Sequence, residues 1–126
     1  MTVLTGTPLV AVIDDDLSVR ESLPHLLKQF GFAVDTFSSA EEFLLSHSTG
    51  QTRCLILDFT LPGMTGLDLQ QELRRRQTET PIIFITADRD EAFRQRVLAA
   101  GAVACLFKPF TDMALLSALN AALGPT

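Results

Sequence analysis

The 126-residue chain has no Trp, no Tyr, only two His and two Cys, and no excess of basic over acidic residues. Each shortage removes a class of function. Cys54 and Cys105 stand far apart inside apolar runs, so there is neither a disulfide framework nor a CxxC metal motif, and both read as small buried hydrophobes. His25 and His47, both within helical patterns, leave a zinc site short of nitrogen and sulfur ligands. No apolar run approaches the roughly 18 residues of a membrane span. The N-terminus also lacks the basic start and long apolar stretch of a secretory signal. The expectation is a cytoplasmic protein with no membrane contact. Ten Lys and Arg against fifteen Asp and Glu give a net charge of −5, which offers no general attraction to a polyanion and argues against nucleic-acid binding by this chain alone.

What is present is 47% apolar and 20% charged residues, with a mean hydropathy of +0.26. That composition can offset the entropy of ordering a chain, and the length suits one core with no room for a second. Five short apolar runs recur: Leu9–Ile13, Ala33-Val34, Cys54–Leu57, Ile82–Ile85 and Val103–Phe107. Runs apolar on both faces fit a parallel sheet buried between helices.

The intervening segments have helical spacing. From Leu17 to Phe30 the apolar residues Val19, Leu23, Leu26, Leu27 and Phe30 recur at three- and four-residue steps, with Gly31 as the cap. Pro24 inside this pattern predicts a kink, or else a split helix. A second helix starts at Ser38-Ser39, where Ser39 and Glu42 fit a capping box. A third begins near Leu67 and finishes in Arg74-Arg75-Arg76, cations that suit the negative end of a helix dipole. A fourth spans about Glu91 to Ala100, and a fifth runs from Asp112, its expected N-cap, to Leu123. The predicted fold is therefore α/β: a doubly wound (βα)5 unit with a five-stranded parallel sheet.

In such a sheet ligands collect at the carboxyl ends of the strands. Strand one ends in Asp14-Asp15-Asp16, strand three in Asp58, strand four in Thr86-Ala87 and strand five in Lys108-Pro109. Taken singly, an acidic triplet is more often a loop or helix cap, and a Thr after a strand is usually a turn residue. Their conjunction on one rim points to chemistry. Crowded carboxylates favour a proton or a cation, and oxygen-only ligands favour Mg²⁺. A cation beside Lys108 would meet the electrostatic needs of phosphoryl transfer, with Asp58 as a carboxylate nucleophile.

Four segments together resemble the receiver domain of two-component response regulators, CheY-like and closest in pattern to the FixJ branch. They are Val12–Asp15, Leu57–Gly66, Ile85–Ala87, and Gly101-Ala102 followed by Phe107–Phe110. The resemblance covers nearly the whole chain and implies the strand order 2-1-3-4-5. It implies an N-terminal extension at residues 1–8, a receiver domain at 9–123, and a tail or the start of a linker at 124–126. It makes Asp58 the acceptor of a phosphoryl group from a sensor histidine kinase. Asp14, Asp15, Asp58 and the main-chain carbonyl of Thr60 would hold Mg²⁺, with Mn²⁺ able to substitute. Thr86 and Lys108 would bind phosphoryl oxygens, helped by the backbone N–H groups of Phe59 and Ala87, and the Lys108-Pro109 bond would be cis. A receiver is a phosphoacceptor switch and not a metabolic enzyme, catalysing only its own phosphotransfer and autodephosphorylation.

One departure concerns the switch. Members of this family usually carry Tyr or Phe three residues before the lysine, where this chain has Cys105; Phe107 or a loop displacement is expected to compensate. On the fifth helix Met113, Leu116 and Leu123 share a sector with Asp112, Ser117 and Asn120, leaving the expected solvent face partly apolar. That agrees with the family's dimerisation surface of helix four, strand five and helix five, and makes Met113 and Leu116 candidate interface residues. The competing readings are a receiver-like adaptor acting without phosphorylation and an aspartyl-phosphate-forming phosphatase. The adaptor conflicts with the intact set of Asp14, Asp15, Asp58, Thr86 and Lys108. The phosphatase lacks the expected Asp-x-Asp-x-Thr/Val after its first strand and has no cap. A flavodoxin-like cofactor binder is disfavoured by the missing Trp and Tyr. The FixJ branch normally continues into a DNA-binding domain, and these residues leave open whether such an output follows.

Overall fold

The computed structural model describes residues 7–124. Most of the expected extension at 1–8, and Pro125 and Thr126 of the expected tail, lie outside the described residues. The strands are β1 (Leu9–Ile13), β2 (Ala33–Phe37), β3 (Cys54–Asp58), β4 (Ile82–Thr86) and β5 (Ala104–Phe107). The helices are α1 (Leu17–Gln29), α2 (Ala40–Leu45), α3 (Gly66–Arg75), α4 (Glu91–Ala99) and α5 (Asp112–Leu123), with one 3-10 turn at His47–Gly50. All pairings are parallel and the order is β2-β1-β3-β4-β5, as the resemblance implied.

The alternation of side chains along a strand splits the core in two. Ala11, Ile13, Leu55, Leu57, Ile82 and Phe84 face the layer that contains Phe43, Leu69, Leu73, Phe93 and Val97 from α2, α3 and α4. Val10, Val12, Cys54, Ile56, Ile83 and Ile85 face Leu23 and Leu27 of α1 and Leu115 and Leu119 of α5. Every residue of β3 and β4 is buried, which is why those runs carry no polar alternation until the last position. That last position is Asp58 in β3 and Thr86 in β4, so burial extends to two of the candidate site residues.

Local chemistry explains most element boundaries. Three helices end in a Schellman motif: Gly31 and Gly101 have positive φ after α1 and α4, and Gln77 takes φ +60° after α3. α1 runs unbroken through Pro24, so the helix is not split there. The first residue of α5 is Asp112, and its N-cap is Thr111, whose hydroxyl accepts the Ala114 amide, in place of the Asp112 cap read from the sequence. Ser39 does cap α2, accepting the Glu42 amide, but the Glu42 carboxylate returns to Ser38 N–H and not to Ser39, which shifts the expected box by one residue. Strand two is longer than its apolar core Ala33-Val34, because Asp35 and Thr36 lie exposed on an edge strand where burial imposes no apolar pattern. Cys54 and Cys105 are both buried and unpaired, as read from the sequence.

Candidate functional site

The rim at the carboxyl ends of β1, β3, β4 and β5 collects Asp14, Asp15, Asp58, Thr86 and Lys108. Asp14 is fully buried, Asp58 and Thr86 are buried, and Asp15 is exposed. Carboxylate oxygens of Asp14, Asp15 and Asp58 lie within 4.8 Å of one another, and these three residues could hold a metal ion. Asp16, the third acid of the triplet, does something else. It caps α1, with its carboxylate accepting both the amide and the hydroxyl of Ser18 at 2.9 and 2.8 Å. Those hydrogen bonds hold its pKa below the ordinary carboxylate value. The plain helix-cap reading therefore holds for Asp16, while Asp14 and Asp15 precede the cap and stand beside Asp58.

Hydrogen bonds fix the carboxylates of Asp14 and Asp58. Asp14 Oδ1 accepts the Asp16 amide at 2.9 Å, and its Oδ2 accepts from Lys108 Nζ at 2.8 Å. Asp58 Oδ1 accepts the Thr60 amide at 3.1 Å, and its Oδ2 lies 3.5 Å from the same ammonium. The cis Lys108-Pro109 bond matches the expectation from the resemblance. Gly66 permits the start of α3 to lie against the end of β3, since a Cβ there would meet the Asp58 carbonyl at 2.8 Å and the Phe84 ring at 2.9 Å. The same helix start is fixed by a reciprocal box between Thr65 and Asp68.

Electrostatics sets the site apart from an ordinary cluster of acids. Burial first, and then the neighbouring Asp14 charge, push Asp58 up to about 6, although Lys108 and the Thr60 amide pull the other way. Burial opposes the charge on Lys108, but hydrogen bonds and charges from Asp14 and Asp58 outweigh it, and its pKa is raised. One ammonium thus serves two buried carboxylates, with a third at the surface. A hard divalent cation with oxygen ligands fits this donor set, since it would offset both the burial and the repulsion that lift Asp58, and among the described residues no nitrogen or sulfur ligand joins the cluster to favour a softer metal.

The other expected contacts divide. Thr86 Oγ1 accepts the Asp88 amide at 3.1 Å, which does not engage its hydroxyl hydrogen. The Phe59 amide, expected to face a phosphoryl group, instead donates to the Ile85 carbonyl at 3.0 Å as the last rung between β3 and β4. The amide turned toward the Asp58 carboxylate belongs to Thr60, one residue later. Strand register explains the difference, because pairing continues past Asp58 and claims the next N–H. Phe107 is the register partner of Thr86, and its ring is covered by the guanidinium groups of Arg89 and Arg94 at 5.8 and 6.0 Å. Cys105 and Phe107 pack on the same side of the sheet. On α5, Met113 is 72% exposed, Leu116 is half-buried, and Leu123 packs against the core beneath α1 and α5.

Two contacts were not legible in the sequence. Arg20 donates to the Asp14 carbonyl at 2.8 Å across the first turn of α1, and Glu41 accepts the Met64 amide at 3.0 Å from the far side of the loop after β3. Neither spacing belongs to a local motif.

Residues 10–120 match the family model described as response regulator receiver domain. The chain is 46% identical over 114 residues to nodulation protein W of Bradyrhizobium diazoefficiens, covering 90% of this chain and 50% of that protein. It is 39% identical over 115 residues to transcriptional regulatory protein FixJ of Azorhizobium caulinodans, covering 91% of this chain and 54% of that protein. Among solved structures, that of response regulator StyR superposes with a TM-score of 0.85 at 45% identity, covering 94% of this chain and 60% of the other. The chain thus spans about half the length of these protein relatives.

Proposed function

Because the chain belongs to the response regulator receiver domain family of two-component systems, we propose that Asp58 is its phosphoacceptor, charged by the phosphohistidine of a sensor kinase. A carboxylate oxygen of Asp58 bonds to phosphorus as the P–N bond to the donor imidazole breaks, and the leaving nitrogen keeps the electron pair. The observation that carries this reading is the pairing of a buried, strained carboxylate with a single shared ammonium: Asp58 is lifted to about 6 with Lys108 3.5 Å away.

Each neighbour has a share. Lys108, released from Asp58 as the phosphoryl group arrives, neutralises one of its oxygens, and the Thr86 hydroxyl donates to another. The amides of Thr60 and Ala87 serve the remainder. Asp14, Asp15, Asp58 and the Thr60 carbonyl are the residues that would hold Mg²⁺ or Mn²⁺. When bound, the ion supplies the charge neutralisation that three carboxylates and an incoming phosphoryl group need. Acetyl phosphate with Mg²⁺ is expected to add one phosphoryl group to the protein by intact mass, and EDTA or Asp15→Asn to suppress it. No adduct in any of these arms would favour the adaptor reading.

The output surface follows from the same rim. Phe107, beside Thr86 and covered by Arg89 and Arg94, is the aromatic that responds to Thr86 in place of a ring at Cys105. The exposed Met113 and half-buried Leu116 lie on the face of α4, β5 and α5 through which a phosphorylated copy pairs with a second. Sedimentation of phosphorylated protein is expected to show dimers for wild type and monomers for Met113→Glu with Leu116→Glu. Phe107→Ala is expected to take up phosphate normally yet associate weakly. Variants that phosphorylate and associate like wild type would remove this surface from the account.

A further inference from the structure

The loop that leaves Asp58 carries Thr60 and leads into α3 at its N-cap, Thr65. Leu61 is buried in the core and Met64 packs against it, so the loop is anchored by side chains at two points. Between them Gly63 has φ +73°, and a Cβ placed on it would lie 2.7 Å from Glu41 Oε2. The same oxygen accepts the Met64 amide at 3.0 Å. A surface glutamate on α2, twenty-three residues away in sequence from the amide it binds, thus closes on the bare Cα of one loop residue and the N–H of the next. Gly63 is needed there twice over, for its positive φ and for the room it leaves the carboxylate. The Met64 hydrogen bond holds Glu41 below its ordinary pKa, so the carboxylate that makes the latch is the ionised form at neutral pH.

Nothing about α2 requires this contact. α2 is already capped by Ser39, and its packing comes from Ala40 and Phe43. Glu42, not Glu41, makes the local bond back to the helix start. Among the described residues, the tertiary contact that the Glu41 carboxylate makes is with the loop between Asp58 and α3.

We propose that Glu41 is a positioning residue for the acidic site, holding the loop after β3 in the form that presents Thr60 and Asp58 to a divalent cation. The inference rests on the metal-site reading given above. A solvent-exposed hydrogen bond of this kind is expected to change an equilibrium it supports by roughly three- to tenfold.

The test is calorimetric titration of the protein with MgCl2, alongside thermal unfolding and amide hydrogen exchange. Glu41→Ala is expected to weaken Mg²⁺ binding about three- to tenfold and to speed exchange at Met64. Glu41→Gln, whose amide oxygen can still accept the Met64 N–H, should bind Mg²⁺ within about twofold of wild type. If Glu41→Ala binds Mg²⁺ as wild type does while Asp15→Asn is impaired, the latch has no bearing on the site and the proposal fails alone. Equal losses in Glu41→Ala and Glu41→Gln would also overturn it, since the role would not be that of an acceptor. If Asp15→Asn binds Mg²⁺ as tightly as wild type, the metal-site reading itself fails and the proposal falls with it.

Discussion

Asp58→Asn is expected to unfold at a higher temperature than wild type at pH 7 in the absence of metal, although it removes the residue on which the proposed activity depends. The direction follows from linkage. Asp58 is raised from 3.8 to about 6 in the folded chain, so its contribution to stability is fully present below the unfolded value and is lost as pH rises through about 6. At pH 7 the folded protein therefore carries an ionised carboxylate at a cost. A two-unit shift has an upper limit near 3 kcal/mol, and solvent screening at the open rim reduces it to about 1–2 kcal/mol. For a domain of this size that is a rise in Tm of roughly 5 °C. The gain should shrink toward zero as pH falls from 7 to 4, where wild-type Asp58 is protonated and resembles the amide. Thermal unfolding of the two proteins across that range checks it, and equal Tm values at pH 7 would contradict the strained carboxylate.

Lys108→Met should act in the opposite direction and more strongly. Its ammonium is the hydrogen-bonded cation of Asp14, which is fully buried, and it also lies 3.5 Å from Asp58. Removing one partner of a buried pair leaves an uncompensated charge, for which about 3–5 kcal/mol is typical. Lys108 keeps 23% of its side chain exposed, and Asp58 can take up a proton in response, so about 2–3 kcal/mol is expected in urea unfolding at pH 7. Adding Asp58→Asn to Lys108→Met should recover part of the loss, because one of the two orphaned carboxylates is then gone. The two substitutions share partners and cannot be additive. A Lys108→Met protein as stable as wild type would mean that the ammonium does not hold the site together.

The fates of individual residues show how far the sequence alone could be read. Asp14, Asp58, Thr86 and Lys108 were legible because each stands directly after an apolar run, and in a parallel sheet the end of such a run is the ligand rim. The end of β2 was not legible, since Asp35 and Thr36 face solvent at an edge and carry no periodic signal. Asp112 passed for a cap because acids are common there, but the hydroxyl of Thr111 reaches the free amide first. The resemblance assigned the Phe59 amide to a phosphoryl oxygen, and sequence gives no register to check it. Only the β3–β4 pairing reveals that Ile85 already binds it. The Glu41 latch depends on α2 and the loop after β3 meeting in space, which no spacing in the chain encodes.

The same distinction applies to charge. The five-acid excess argued only against a polyanion partner. The fold divides the fifteen acids among caps such as Asp16 and Asp68, a surface ion-pair partner in Glu72, a latch in Glu41, the three that converge with one lysine, and others on the surface. The proposed function rests on the convergent three, because among the described residues it is there that burial and like charge lift a carboxylate to about 6 with a cation beside it.

The most direct test of the central claim is intact mass of wild type and Asp58→Asn after incubation with acetyl phosphate and Mg²⁺. A single phosphoryl adduct on wild type that is absent from Asp58→Asn is the predicted result. An equal adduct on Asp58→Asn, or none on a wild-type protein shown to bind Mg²⁺, would contradict the assignment of Asp58 as the phosphoacceptor.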